Sequence, residues 1–224
     1  MIYLIVARDN KFGIGRGSSI PWDNSFDLKL FYDITFPKYV GERSAVIFGY
    51  NTFLSMKSPL SNRTNIVMTN KHYDELRNRT DIVCIRNKDE LINQFDRYVN
   101  IYICGGKQIY ELLFNLVNVV YETVFEDDYK CDVFIKDLYL YDKFNNMRVV
   151  FSKKVKKNNV SMTFNRYELI SNIKPHDEYQ YLNLLEDVMI NGDERQTRNS
   201  ITKSSFGGRM CFILRNNVIP VLTT

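Results

Sequence analysis

Short runs of β-branched and other apolar residues recur along the first half of the chain, and they restrict it to one class of architecture. They are residues 2–7, Ala45-Val46-Ile47-Phe48, Asn65-Ile66-Val67-Met68, Ile82-Val83-Cys84-Ile85, Ile101-Tyr102-Ile103-Cys104 and Val119-Val120-Tyr121. Runs of this length bounded by polar or glycine residues fit buried strands. Helical patterns lie between them, over Asp27–Phe36, Lys88–Tyr98 and Gln108–Val117. In the last of these, Ile109, Leu112, Leu113 and Leu116 form a stripe that should pack on a sheet. Strand and helix in alternation predict an α/β domain with a mostly parallel sheet. A chain of 224 residues has room for one large domain, or an ordinary domain plus an appendage.

Charge narrows the partners. With 30 basic and 26 acidic residues the net charge is +4, and no polybasic tract of the kind that binds nucleic acid or a membrane surface occurs. Two histidines make a histidine-rich metal site unexpected, and no metal is predicted. The basic cluster Lys153-Lys154-Val155-Lys156-Lys157-Asn158-Asn159 lies between the strand-like Val149-Val150-Phe151 and Val160–Phe164, so it reads as a solvated hairpin tip. Cys84, Cys104, Cys131 and Cys211 are widely spaced without a C-x-x-C pair, which points to a reduced, cytoplasmic protein. Met1–Asp9 reads as a buried first strand and not as a signal peptide, and no stretch approaches transmembrane length.

Asp27 is the odd residue in its helix. Leu30, Phe31 and Ile34 follow it at i+3, i+4 and i+7, so the carboxylate belongs to the stripe that should face the core. A buried carboxylate needs hydrogen-bonding partners or a raised pKa, and either makes it a candidate ligand or acid/base group. The alternative is a partly solvated acid favoured by the helix dipole. Three predicted strands end in related chemistry, at Gly49-Tyr50-Asn51-Thr52, Thr69-Asn70-Lys71 and Gly105-Gly106-Lys107. Ligands of open α/β sheets bind outside the carboxyl ends of strands, where glycine lets backbone approach phosphate. Each end alone is also simple turn economy; their convergence suggests a nucleotide crevice.

At this point the chain resembles dihydrofolate reductase over roughly residues 1–170. The matching pieces, in order, are Ala7 with Gly13-Ile14-Gly15, Ile20-Pro21-Trp22, Asp27-Leu28 with Phe31, Phe48-Gly49 with Asn51-Thr52-Phe53, Pro59-Leu60 with Arg63, Gly105-Gly106 with Ile109-Tyr110-Glu111, and Tyr121 with Thr123. The resemblance implies a three-layer α/β/α domain over 1–171 that transfers hydride from NADPH to dihydrofolate. It implies that Asp27 holds the pterin, that Thr123 ties Asp27 to the far strand, and that Trp22 completes the catalytic group. Ile5, Ala7, Leu28, Phe31, Leu60, Cys104 and Tyr110 would line the substrate pocket, and Arg63 would pair with the substrate's α-carboxylate. Ala7, Ile14, Gly15 and Ile20 would meet the cofactor, with Ile14–Trp22 as a mobile flap. The remaining implied cofactor contacts are Gly49, Tyr50, Asn51, Thr52, Thr69, Asn70, Lys71, Gly105, Gly106, Lys107 and Gln108. Two positions depart from the family: a basic residue usually follows Phe48-Gly49, where this chain has Tyr50, and a further basic position reads Gln108. Preference for NADPH over NADH should therefore be softer, and Tyr50 could instead stack on adenine.

The last fifty or so residues carry a second resemblance, to the opening of thymidylate synthase. Pro175–Leu182, Asn191-Gly192, Arg198, Phe206-Gly207, Met210, Phe212 with Leu214-Arg215, and Pro220–Thr224 bear it, making 172–224 an incomplete synthase segment. Residues 177–190 read as a helix stopped by Asn191-Gly192, and Cys211 as a buried strand cysteine and not the synthase nucleophile. Arg198 is implied as a possible nucleotide-phosphate contact, followed by a loop at Asn199–Lys203. Reductase followed by synthase resembles the bifunctional enzymes of protists and plants, and a full-length parent would form a homodimer through its synthase part. Two alternatives are a related pyrimidine reductase of riboflavin synthesis, which should lack the Pro-Trp flap, Asp27 and Arg63 together, and a tail that serves only for dimerisation.

Overall fold

The computed structural model describes residues 1–157 and 159–170, together with the backbone of 193–196 and 201–204. The elements run β1 (Ile2–Arg8), β2 (Gly13–Gly15), α1 (Ser25–Thr35), β3 (Ser44–Gly49), α2 (Tyr50–Ser55), β4 (Thr64–Met68), α3 (Tyr73–Leu76), β5 (Val83–Ile85), α4 (Lys88–Ile92), β6 (Asn100–Ile103), α5 (Lys107–Leu113), β7 (Val119–Phe125), β8 (Val133–Phe134), α6 (Asp142–Asn145), β9 (Met147–Lys157) and β10 (Val160–Leu169). All but β2 and β8 of these strands form one eight-stranded sheet in the order β5-β4-β3-β6-β1-β7-β10-β9. Neighbours from β5 to β7 are parallel, and β10 runs antiparallel to both β7 and β9. Helical crossovers cover both faces of the parallel part, so its strands are apolar on both sides: Ala45, Val46, Ile47, Ile66 and Val67 are all fully buried. The fold is the α/β class that the alternation predicts.

The chain returns from β5 to insert β6 between β3 and β1. That return opens a crevice at the carboxyl ends of the central strands. One core cluster, with Leu4, Ile47, Ile66, Leu113 and Phe114, fills one face of the sheet; another, with Val46, Phe48, Val67 and Tyr102, fills the other.

Three expectations need correction. The helix over Lys88–Tyr98 is instead a short helix, α4, followed by a 3₁₀ turn at Phe95–Arg97, because only Leu91 of α4 reaches the core. Likewise Gln108–Val117 divides into α5 and a 3₁₀ turn at Phe114–Leu116; Ile109, Tyr110 and Leu113 are its buried residues, whereas Leu112 is exposed. The third concerns Lys153, Lys154, Lys156 and Lys157, which lie in β9 and not at a hairpin tip. β9 is a sheet edge, and exposed lysines along it discourage pairing with another chain.

Ile173–Thr224 is a second compact unit. Within it β11 (Asp193–Gln196) and β12 (Ile201–Ser204) pair antiparallel, so Ile201, Thr202 and Lys203 are strand and not loop. Arg198, Cys211 and the helix expected over 177–190 lie outside the described residues.

Candidate active site

A cavity of about 1370 Å³ opens at the carboxyl ends of the central strands. Single-ligand pockets are typically ~300–1,000 Å³, so this one has room for two small molecules side by side. Every site residue predicted between Ile5 and Thr123 lines it.

Asp27 enters from the first turn of α1. Asn24 caps that helix, its side-chain oxygen accepting from the backbone N–H groups of Phe26 at 3.0 Å and Asp27 at 3.1 Å. This start directs the whole stripe Asp27, Leu30, Phe31 and Ile34 at the cavity, and the helix buries only Thr35 in the protein. The stripe expected to pack the core is therefore a cavity wall. Burial raises the pKa of Asp27, and a hydrogen bond from the Thr123 hydroxyl opposes that shift. Thr123 is itself buried on β7 across the cleft. Tyr110, from α5, closes the floor by donating its hydroxyl to the Ile5 carbonyl at 2.8 Å. Leu28, 58 % exposed, and Ile20, 59 % exposed, stand at opposite rims as bare apolar surface of the kind that binding sites display.

Arg63 is prearranged. Its Nη1 donates to Thr35 Oγ1 at 2.7 Å, its Nε to the Ser61 carbonyl at 3.0 Å, and its guanidinium lies against the Tyr32 and Phe36 rings. Burial lowers its pKa. No carboxylate among the described residues pairs with it, so the remaining donors of its planar fork are available to a ligand.

The segment from Gly13 to Trp22 forms a flap over one side. Its β2 strand pairs with β8, Asp132 accepts from the Gly17 N–H at 2.8 Å, and Asp132 N–H donates to the Gly15 carbonyl at 2.9 Å. Trp22 anchors the far end by stacking on Phe125 with ring centroids 4.7 Å apart. Its indole Nε1 is buried without a hydrogen-bond partner among the described residues, a donor left for a bound molecule.

Opposite the flap, Gly49 N–H donates to the Gly105 carbonyl at 2.7 Å, joining the ends of β3 and β6. Gly105 has φ +118°, and a Cβ there would lie 3.1 Å from the Tyr110 hydroxyl, so this cradle accepts glycine alone. Beyond it the cavity reaches Thr69, Asn70 and Lys71, and also His72 and Arg86, which sequence reasoning missed. Tyr50 stacks on His72 at 3.8 Å with an interplanar angle of 5°, and its hydroxyl donates to Glu75 at 3.3 Å. The signal for Arg86 was available: it directly follows β5, a fourth strand end of the kind that marked the other three. Burial pushes the Cys131 thiol up to about 11 and the Cys104 thiol higher still, which disfavours the thiolate at both. No metal-ligating cluster occurs among the described residues.

Comparisons with known proteins bear on the family and the fold. The family model described as dihydrofolate reductase matches residues 1–169. Segregation and condensation protein A of Mycoplasma pneumoniae is 34 % identical over 137 residues, covering 61 % of this chain and 26 % of that protein. Bifunctional dihydrofolate reductase-thymidylate synthase 1 of Arabidopsis thaliana is 26 % identical over 260 residues, and the bifunctional protein of Paramecium tetraurelia 29 % over 235. Each of these two covers 99 % of this chain, which spans 50 % and 47 % of their respective lengths. Thus the chain spans about half or less of the length of the curated relatives it matches. Among solved structures, dihydrofolate reductase from Enterococcus faecalis complexed with NADP(H) and RAB-propyl superposes with a TM-score of 0.65 at 23 % identity, covering 76 % of this chain and 96 % of that one, a likeness of fold.

Proposed function

Because the chain belongs to the dihydrofolate reductase family, we propose that its cleft reduces 7,8-dihydrofolate to tetrahydrofolate with NADPH. The observation that carries this reading is the desolvated Asp27 carboxylate, hydrogen-bonded to Thr123 and facing a glycine cradle across a cavity large enough for two molecules. When bound, NADPH supplies a hydride to C6 of the pterin.

Asp27 accepts hydrogen bonds from N3 and the 2-amino group of the pterin, which fixes the ring and polarises it toward protonation at N5. Thr123 holds the carboxylate in that orientation. Leu28, Phe31 and Leu60 cover the aminobenzoyl group, and Arg63 receives the α-carboxylate as a two-pronged donor. The flap excludes bulk water while Trp22 Nε1 orients the one water that delivers the proton. Gly49, Gly105 and Gly106 let the cofactor's diphosphate approach the backbone, with Asn51, Thr52, Lys107 and Gln108 beside it. Purified protein should consume NADPH only when dihydrofolate is present; oxidation indifferent to dihydrofolate, or none with it, overturns the assignment.

Tyr50 bears on cofactor choice. With Tyr50 stacked on His72 in place of a guanidinium, the 2′-phosphate is left to Thr69, Asn70, Lys71 and Lys107, with Arg86 in the same wall. Tyr50→Arg should improve the preference for NADPH over NADH by about tenfold or less, the scale of one partly solvated charge-assisted contact, and the gain should shrink with salt. Equal improvement with NADH would place the new side chain on the diphosphate.

The matches to bifunctional proteins over 99 % of this chain support a reading of residues 172–224 as the start of a synthase part, with a longer cytoplasmic parent that dimerises through it. Sedimentation of such a parent beside the 224-residue chain tests this, and a parent that stays monomeric counts against it. No described helix is long and apolar enough to cross a membrane.

A further inference from the structure

On the face of the sheet opposite Asp27, Glu122 lies 2 % exposed with both carboxylate oxygens saturated. One oxygen accepts from Arg8 Nε at 2.6 Å and from the Tyr139 hydroxyl; the other accepts from Asn165 Nδ2 and the Tyr167 hydroxyl, each at 2.9 Å. Burial alone would raise its pKa, but Arg8 and these donors hold it below the usual carboxylate value. The network does not end at the ion pair. Arg8 Nη1 donates to the Asp9 carbonyl at 3.1 Å, and the guanidinium lies 4.4 Å from the centre of the Phe12 ring. Asp9 in turn is fully buried, its carboxylate accepting from the N–H groups of Lys11 and Gly13 at 2.8 Å and of Tyr129 at 3.2 Å. Asp9 and Phe12 are the root of the flap, and Gly13 begins its β2 strand.

We propose that Glu122 is a positioning residue for the flap: by holding Arg8 in one rotamer it fixes the Asp9 carbonyl and the Phe12 ring, and so keeps Ile14–Trp22 closed over the cleft. The consequence for the cofactor rests on the reading of the cleft given above; the consequence for the flap does not. An ion pair that merely stabilised the core would be replaceable by apolar residues of similar shape, since removing both charges together restores much of what removing one alone costs. Positioning is not replaceable in this way, because a methionine in place of Arg8 can neither donate to the Asp9 carbonyl nor stack as a cation on Phe12.

The test is the paired variant Arg8→Met with Glu122→Leu. Its thermal midpoint should fall, because Tyr139, Asn165 and Tyr167 lose their acceptor. Amide exchange across Gly13–Ile20 should nevertheless accelerate about tenfold beyond that of β7 and β10, the scale of a lost hydrogen bond in a local opening equilibrium, and NADPH release should accelerate with it. The KM for dihydrofolate should change less than twofold. Unchanged flap exchange in the folded double variant overturns the proposal, as does acceleration spread evenly over β7 and β10. Should the double variant fail to fold, Phe12→Ala leaves the Arg8–Glu122 pair and the bond to the Asp9 carbonyl intact while removing the contact of Arg8 with the Phe12 ring, and a smaller acceleration confined to the same segment is expected; its absence is equally fatal. A parent protein that does not bind NADPH refutes the reading of the cleft and leaves the exchange result to decide the role of Glu122.

Discussion

Asp27→Asn should lower turnover at pH 7 by roughly a hundredfold or more, the range associated with losing one charged group that acts on the reacting ring. An amide matches the carboxylate in size, so the pterin should still find its place. What disappears is the negative charge that draws a proton toward N5. The defect should therefore ease at low pH, where the substrate is already protonated in solution. Stability should move the other way. Burial raises the Asp27 pKa and the Thr123 hydrogen bond offsets only part of the shift, so the folded state carries a net desolvation cost once the group ionises. For a carboxylate with a raised folded pKa, that cost is absent at pH values below its ordinary range and fully present above the raised value. The Asn variant escapes it, and its Tm should exceed that of the parent at pH 7, with the gain vanishing on acidification. Wild-type turnover by Asp27→Asn at pH 7 would sink the proposed role; a Tm no higher than the parent's would show that Thr123 and its surroundings solvate the carboxylate as well as water does.

Arg63→Lys should raise the KM for dihydrofolate by an amount equivalent to about 1–3 kcal/mol with little change in kcat. Two of the five guanidinium donors are committed to Thr35 and Ser61, and the Thr35 hydroxyl already donates to the Phe31 carbonyl at 2.8 Å, so it can only accept from residue 63. An ammonium on a flexible stem cannot hold both anchors and still present two parallel N–H groups to a carboxylate. Because the contact lies far from the reacting carbon, the loss falls on substrate binding. A fall in NADPH affinity with the dihydrofolate KM intact would place Arg63 in the wrong half of the cleft.

Apart from the site residues that the resemblance supplied, the sequence by itself determined the α/β class, the parallel strands and the glycine turn that ends β6. These are local properties: Ile66-Val67-Met68 is apolar on both faces because a covered strand must be, and Gly105 is glycine because no side chain fits beside Tyr110. The Asp27 stripe shows the limit. Periodicity reports that one side of α1 avoids water, and cannot report whether protein or ligand covers that side; the resemblance put Phe31 in the pocket, but only the placement of α1 over the crevice decided that Leu30 and Ile34 line the cavity with it. The lysines of β9 misled in a similar way, since a charge run marks solvent exposure equally well in a turn and on a sheet edge. Other features had no local signal. Arg8 and Glu122 are 114 residues apart, and each resembles an ordinary surface charge within its own strand. Their partnership exists because β1 and β7 are neighbours in the sheet, with Asn165 and Tyr167 arriving from β10 on the same face. Tertiary structure alone decided which charges are buried together, because the free energy of a buried charge depends on the donors that other strands bring to it, and those strands become neighbours only when the sheet has formed.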